Sequence, residues 1–389
     1  MILKAFKFRL EPNKEQQVLI NKTLGCTRFL YNQMLNEKQL KYKNSDKTPT
    51  KTEKEYKFEF EWLKEVDSIA LQQSRLDLRT AYDNFFRKLK SGQPTNLKFK
   101  SRKNPKNSYR TLNVNNSIRV EDNRIKLPKL GFVKFRKSRE VSGIIKSVTV
   151  SKNILNRYYI SVLCEVEIQK LPEADSQIGI DLGLGYFCIM SNNTKIPNPK
   201  YLRQSEQKLI KAQRKLSKRV KGSNNRFKQQ KVVFKLHEKI RNQRLDFLHK
   251  LSTKLINENQ VICLEDLQVK NMVKNHCLAK SISDVSWSKF VSMLEYKCNW
   301  FGKDVIKVDR FFASSKTCKC GTKNDDLKLS DREWICKSCG AVNKRDLLAA
   351  QNILNEGRRS SCDLTDAEAE VTKPLKRLKS EMSSFDIEI

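Results

Sequence analysis

The sequence predicts an α/β protein of several domains, and three observations carry that reading. Short alternating segments crowd residues 117–167, as in a small antiparallel β-structure. Apolar strand-like runs at 177–190, 260–264 and 304–308 are interleaved with helical stretches. Four cysteines pair up at 318/320 and 336/339, marking a small separate module. At 389 residues the chain has room for roughly two to four cores.

Residues 1–10 read as a strand closed by Glu11-Pro12-Asn13. A helical stretch follows from about Lys14 to Lys41, with Leu19, Leu24, Leu30 and Met34 near helical spacing. Asn44–Lys54 is polar and contains proline, a loop. A second helical stretch runs from Leu63 to Leu89 and ends near Ser91-Gly92. Residues 94–110 are rich in Lys and Arg with two prolines and read as a loop that touches nucleic acid. Strands are then expected at Ser117–Val120, Ile125–Leu127, Phe132–Phe135, Ile144–Val150 and Tyr158–Glu167, together a small β-barrel. Because the first strand stands far from these, the helical block at 13–105 reads as inserted into that barrel.

The character changes near Leu171-Pro172. Gln177–Met190 reads as one apolar strand with three glycines. Leu202, Leu209 and Leu216 then repeat every seven residues, the chain breaks at Gly222–Asn225, and Val233, Leu236, Ile240, Phe247, Leu251 and Leu255 resume the pattern. That is a helical hairpin with one buried stripe and one basic face, turned either to a duplex or simply to solvent. A helix at Trp287–Phe301 separates the last two apolar strands, and a final helix starts near Asp346. The charged residues 359–389 read as a disordered tail.

Charge sets the class of partner. There are 78 Lys+Arg against 43 Asp+Glu, a formal +35. A ribosomal or membrane-surface protein can carry such a charge, but here it is spread through segments that have the pattern of folded structure, which favours a nucleic-acid partner. No run of about 18 apolar residues is present, so no membrane span is expected. The alternating start, Met1–Phe8, lacks the layout of a signal peptide, so the protein is expected inside the cell, in the cytoplasm. With 3 histidines, any catalyst is expected to use carboxylates.

Three acids stand at the ends of core elements. Asp181 lies inside Ile178-Gly179-Ile180-Asp181-Leu182-Gly183-Leu184-Gly185, where a lone carboxylate costs several kcal/mol (about 2–7 for a polar group, more when charged) unless paired or metal-bound. Glu265 ends the apolar strand Val261-Ile262-Cys263-Leu264, and Asp346 opens the last helix. Taken singly, Asp181 reads equally as a turn residue, Glu265 as a surface strand end and Asp346 as an N-cap. Taken together in so basic a chain, they suit two-metal phosphodiester hydrolysis, since carboxylates hold Mg²⁺ and two ions about 3.5–4 Å apart can activate a water and stabilise the leaving oxygen.

Cys318 and Cys320, with Cys336 and Cys339, read as a structural Cys₄ zinc ribbon, against four free thiols or a degenerate site. The second pair has the usual two-residue spacing and a trailing glycine. The first is one residue short and must reach the same metal by a different turn. Cys339 lies seven residues before Asp346, so the ribbon is expected to help position that acid. The other seven cysteines are scattered singly.

Several longer stretches occur together: Lys7-Phe8-Arg9-Leu10 with Pro12, Arg28, Tyr31-Asn32, Leu127-Pro128-Lys129-Leu130-Gly131, Gly179-Ile180-Asp181-Leu182-Gly183, Leu264-Glu265-Asp266-Leu267, Ser314-Ser315-Lys316-Thr317-Cys318, Cys336-Lys337-Ser338-Cys339-Gly340 and Arg345-Asp346. On these, from about residue 1 to 356, the chain resembles the TnpB family, insertion-sequence proteins related to type V CRISPR nucleases and to the eukaryotic Fanzor proteins. The resemblance implies an RNase H-like (RuvC) nuclease domain split by insertions, at 173–313 and 340–358, with Asp181, Glu265 and Asp346 as catalytic acids holding two Mg²⁺ ions. It implies a β-barrel wedge domain at 1–12 and 106–172, a helical recognition domain at 13–105, and a zinc ribbon at 314–339. It implies a guide RNA from the transposon end and a double-stranded DNA target beside a short flanking motif; the protein itself is expected to be a monomer. Two departures stand out: the shortened Cys318/Cys320 pair, and Leu348 where the family commonly has Asn. The competing functions are an RNA-guided DNA-binding protein of little or no activity and a structure-specific nuclease without guide RNA.

Overall fold

The first strand, β1 (Ile2–Glu11), stops at Pro12, which has no amide proton to give a ladder. Asn13 then caps α1 (Lys14–Lys43): its side chain accepts from the Gln16 amide at 2.8 Å, and the Gln16 side chain accepts from the Asn13 amide at 3.1 Å. A computed structural model describes these elements and the rest of residues 1–46, 48–102, 106–328 and 330–370. The chain divides into two units, Met1–Glu167 and Ile168 onward.

In the first unit α1 packs with α2 (Glu53–Glu59), a 3₁₀ turn (Glu61–Glu65) and α3 (Ser68–Lys90) around Leu30, Leu35, Leu63, Leu71 and Leu78. The helix expected to run unbroken from Leu63 starts afresh at Ser68. Asp67 leaves the helical conformation to cap it, accepting from the Ile69 amide at 2.9 Å. Strands β2 (Lys106–Leu112), β3 (Arg119–Glu121), β4 (Arg124–Leu127), β5 (Gly131–Arg136), β6 (Ile144–Asn153) and β7 (Tyr158–Val166) join β1 in one curled antiparallel sheet, ordered β2-β6-β7-β1-β5-β4-β3. The helices are therefore an excursion between two parts of one sheet. Residues 106–110, expected in a basic loop, belong to β2, because Tyr109 and Thr111 alternate inward opposite Val150 and Val148. The rest of that expected loop includes 103–105, which lie outside the described residues.

The second unit is built on five strands, β8 (Gln177–Leu182), β9 (Tyr186–Met190), β10 (Lys195–Pro197), β11 (Val261–Glu265) and β12 (Asp304–Val308), ordered β10-β9-β8-β11-β12. The first three form an antiparallel meander, while β8, β11 and β12 run parallel. Residues 177–190, read as one strand, are thus a hairpin turning at Gly183-Leu184-Gly185, where the Gly183 amide donates to the Phe187 carbonyl at 3.2 Å. Both arms are apolar because helices cover both faces of the sheet. Helices α4 (Tyr201–Ser217) and α5 (Asn224–Glu258) form the expected hairpin. The short helices α6 (Val269–Met272) and α7 (His276–Val285) lead to α8 (Trp287–Phe301). Leu248, Leu251, Leu255 and Ile256 of α5 share a core with Phe290, Met293 and Leu294 of α8. There Phe187 meets Phe247 and Phe290 edge to face, each at 5.0 Å.

The small hairpin β13 (Glu333–Ile335) and β14 (Val342–Lys344) precedes α9 (Arg345–Glu370), which packs against β8, β11 and β12. Because α9 is described to Glu370, the tail expected to be disordered from 359 is helical to that point; 371–389 lie outside the described residues. A helix nucleated by its packed first half propagates into polar residues at little cost. Among the described residues, no helix is long and apolar enough to cross a membrane.

Candidate active site

Two glycines decide how closely α9 approaches the sheet. A Cβ on Gly179 of β8 would lie 2.1 Å from the Ala350 carbonyl oxygen, and one on Gly357 of α9 would lie 2.4 Å from the Cys263 sulfur. Only hydrogen fits at either crossing. The helix is thereby laid directly on β8 and β11, with its first turn, which carries Asp346, toward the end of the sheet where those strands finish. The parallel register pairs Ile180 with Leu264, so Asp181 and Glu265 come level one step further on. That is the carboxyl end of the strands, where open α/β sheets hold ligands. Residues 165 positions apart in the chain are thus gathered at one place (346 − 181).

Asp181 and Asp346 line one cavity of about 640 Å³, with Tyr186, Lys195, Arg332, Lys344 and Arg345. Burial pushes the Asp181 carboxyl up to about 7, the negative charges of Glu265 and Asp346 push the same way, and Arg345 opposes them. Glu265 Oε1 accepts from the Ser314 hydroxyl at 2.5 Å, and Asp346 lies 3.5 Å from Arg332. The donors are oxygens only, as hard divalent cations prefer, and a cation would relieve the repulsion that raises Asp181. In donor chemistry the residues present fit magnesium, although their oxygens do not all lie within 4.8 Å of one another and Glu265 does not itself line the cavity.

The cysteine module is tighter. Among the described residues, Cys318, Cys320, Cys336 and Cys339 are the one group whose three or more donor atoms all lie within 4.8 Å of one another. Cys318 and Cys339 sulfurs are 3.6 Å apart, as are those of Cys320 and Cys336. A tetrahedral site with Zn–S bonds of about 2.3 Å needs sulfurs about 3.8 Å apart, whereas a disulfide needs about 2.05 Å. The set fits a structural zinc. The shortened first pair reaches it because the Cys320 amide itself turns toward the Cys318 sulfur and holds that thiol below its usual range. Gly321 and Gly340 close the two knuckles at φ of +88° and +69°. Trp334 and Leu348 pack beneath Cys318 and Cys336.

Family models match residues 160–276 ("Probable transposase"), 287–353 ("Cas12f1-like, TNB domain") and 1–47 ("Helix-turn-helix domain"). In this structure the described part of that last span, residues 1–46, holds β1 followed by α1. A Streptomyces pristinaespiralis protein named "Putative RNA-guided DNA endonuclease" is 38% identical over 373 residues, covering 92% of this chain and 90% of its own. The similarly named InsQ of Escherichia coli K12 is 32% identical over 378 residues, covering 91% and 92%. "TnpB-like protein L79" of Acanthamoeba polyphaga mimivirus is 28% identical over 248 residues, 58% of this chain and 46% of its own. The chain belongs to the TnpB family. The Cas12f1 chain in the cryo-EM structure of a Cas12f1–sgRNA–target DNA complex shares its fold, with TM-score 0.54 and 14% identity over 91% of this chain and 99% of that one.

The departure of this TnpB family member at Leu348 has a packing explanation. Leu348 is 3% exposed and joins α9 to the cysteine module; it is Leu347, its neighbour, that lines the cavity. Ser314 and Arg332 were not singled out by the sequence as site residues, although Ser314 opens one of the stretches shared with the family. Arg332 precedes β13 and carries no sequence signal beyond its charge.

Proposed function

We propose that this TnpB family member is an RNA-guided, magnesium-dependent DNA endonuclease in which Asp181, Glu265 and Asp346 together hold two Mg²⁺ ions at the scissile phosphate. The observation that carries the reading is the gathering of three acids from separate segments at the carboxyl end of β8 and β11, with the Asp181 carboxyl raised by burial and by the other two. When bound, magnesium supplies Lewis-acid polarisation of the phosphate and stabilises charge on the leaving oxygen. The chain's own part is to orient. Ser314 holds Glu265, while Arg332, Lys344 and Arg345 line the cavity where a phosphodiester backbone would be drawn in.

Target choice falls to pairing between guide RNA and DNA, with the protein reading a short flanking motif. The names of the relatives from Streptomyces and Escherichia coli support the guidance by RNA and the DNA target. The seven-stranded sheet corresponds to the proposed wedge domain, residues 13–105 to the recognition domain, and the five-stranded sheet with α9 to the RNase H-like domain. Zinc at Cys318, Cys320, Cys336 and Cys339 would be structural and set the start of α9.

The test is co-expression with RNA from the same locus, reprogrammed to one target, against plasmids carrying that target beside a randomised flank. Depletion of one flank class by the wild type and not by Asp181→Ala is the expected result. RNA binding without depletion would favour a guided binding protein, and cutting without RNA a structure-specific nuclease.

A further inference from the structure

Glu265 is linked through Ser314 and the side-chain amide of Asn352 to α9, the helix whose first turn carries Asp346. Asn352 lies on α9 six residues beyond Asp346 and is 7% exposed. Its Nδ2 donates to the Ser314 carbonyl at 2.8 Å and to the Thr317 carbonyl at 2.6 Å. An amide nitrogen has two protons, so both are used. Ser314, also buried, passes the constraint on by donating its hydroxyl to Glu265 Oε1 at 2.5 Å. The Ser314 amide donates to Phe312, and the Thr317 hydroxyl donates to Ala313, so the turn between them is itself fixed. Cys318, the first cysteine of the zinc set, follows directly.

We propose that Asn352 and Ser314 are positioning residues that fix Glu265 relative to Asp346 at the spacing a divalent ion requires. The proposal rests on the reading of the three acids as a metal site. A glutamate has three side-chain torsions, and the negative charge of Asp346 drives it outward. A hydrogen bond from a buried hydroxyl to an ionised carboxylate is a strong one and holds it inward. Because the bond is anchored to α9 through Asn352, Glu265 is referred to the helix that carries Asp346, and metal geometry does not depend on loop 309–317 alone. The same amide ties the cysteine module to the acids, so ribbon and catalytic centre share one anchor.

The test uses the full chain loaded with guide RNA, as Ser314→Ala, Ser314→Thr and Asn352→Asp. Asn352→Asp keeps the shape of the side chain and removes both donors. Three quantities are read: the Mg²⁺ concentration for half-maximal cleavage, the rise in thermal midpoint on adding Mg²⁺, and zinc content. Loss of a group that orients a metal ligand costs about 10–100-fold in metal affinity. Ser314→Ala and Asn352→Asp are expected to need at least about tenfold more Mg²⁺ and to show a smaller Mg²⁺-induced rise, with zinc content unchanged. Ser314→Thr is expected to restore most of both. An unchanged Mg²⁺ requirement in Ser314→Ala, even with a lower midpoint, would make these residues structural only and overturn the proposal. A wild type that neither cuts nor gains stability from Mg²⁺ would instead overturn the metal-site reading, and this proposal with it. Should Asn352→Asp fail to fold, the two Ser314 variants decide the matter.

Discussion

The cysteine module and the carboxylate site are both sets of anionic donors, and they are assembled in opposite ways. The four sulfurs come from two short turns within 22 residues (318 to 339 inclusive) and sit about as close as one ion needs. The three carboxylates come from β8, β11 and α9, and their closeness depends on strand register and on two glycines. A local site is set by sequence spacing, so it tolerates a shortened pair by bending one turn. A distributed site is set by packing, so a single added methyl group that touches none of the acids can disturb it.

The largest effect is expected where the local site is opened. Cys336→Ser removes one of four ligands and should cost on the order of several kcal/mol of zinc-linked folding energy in 314–344, because the binding energy of structural zinc is folding energy. Zinc content and protease cutting within that segment measure it, and full zinc occupancy in the variant would break the comparison.

A smaller effect should follow in the distributed site. Gly179→Ala places a methyl 2.1 Å from a backbone oxygen of α9 and should cost about 1–3 kcal/mol, whereas Gly185→Ala meets nothing within 4 Å and should fall within about 0.5 kcal/mol of wild type. Thermal midpoints of the two variants, with cleavage rates alongside, test whether helix approach controls the acids. Equal behaviour of the two would contradict it.

The smallest effect concerns pH. With its carboxyl pushed up to about 7, Asp181 keeps its proton in the folded protein after the unfolded chain, near 3.9, has released its own. The folded state therefore binds more protons between those values, and stability falls as pH rises through them. The loss is expected to be on the order of 1–2 kcal/mol after solvent screening in Mg²⁺-free protein, and to shrink at saturating Mg²⁺. Denaturant titrations at pH 4, 5.5 and 7.5 check both the sign and its dependence on magnesium.

Much of this is legible in the residues, and each exception has its own physical cause. The alternating strands of the first unit were readable because one face is core and the other is not: Tyr158, Ile160, Val162, Cys164 and Val166 are buried while their neighbours are not. The β8–β9 hairpin was not, because helices cover both of its faces and leave no alternation to mark the turn at Gly183-Leu184-Gly185. Helix α6 escapes the sequence reading because 4 residues carry too little periodicity. Asp181, Glu265 and Asp346 stood out as acids ending apolar elements. Ser314, Asn352 and Arg332 are ordinary polar residues in sequence, and only the tertiary arrangement gives them a place beside those acids.

The proposed function places three distant carboxylates in one catalytic metal site. Its most direct test is single-turnover cleavage of a programmed target by guide-loaded wild type, Asp181→Asn, Glu265→Gln and Asp346→Asn, with target binding measured in the same samples. Each substitution is expected to lower cleavage by at least about 100–1,000-fold while binding persists, since each removes charge from one shared centre. Cleavage near the wild-type rate in any one of the three would remove that residue from the site and contradict the account.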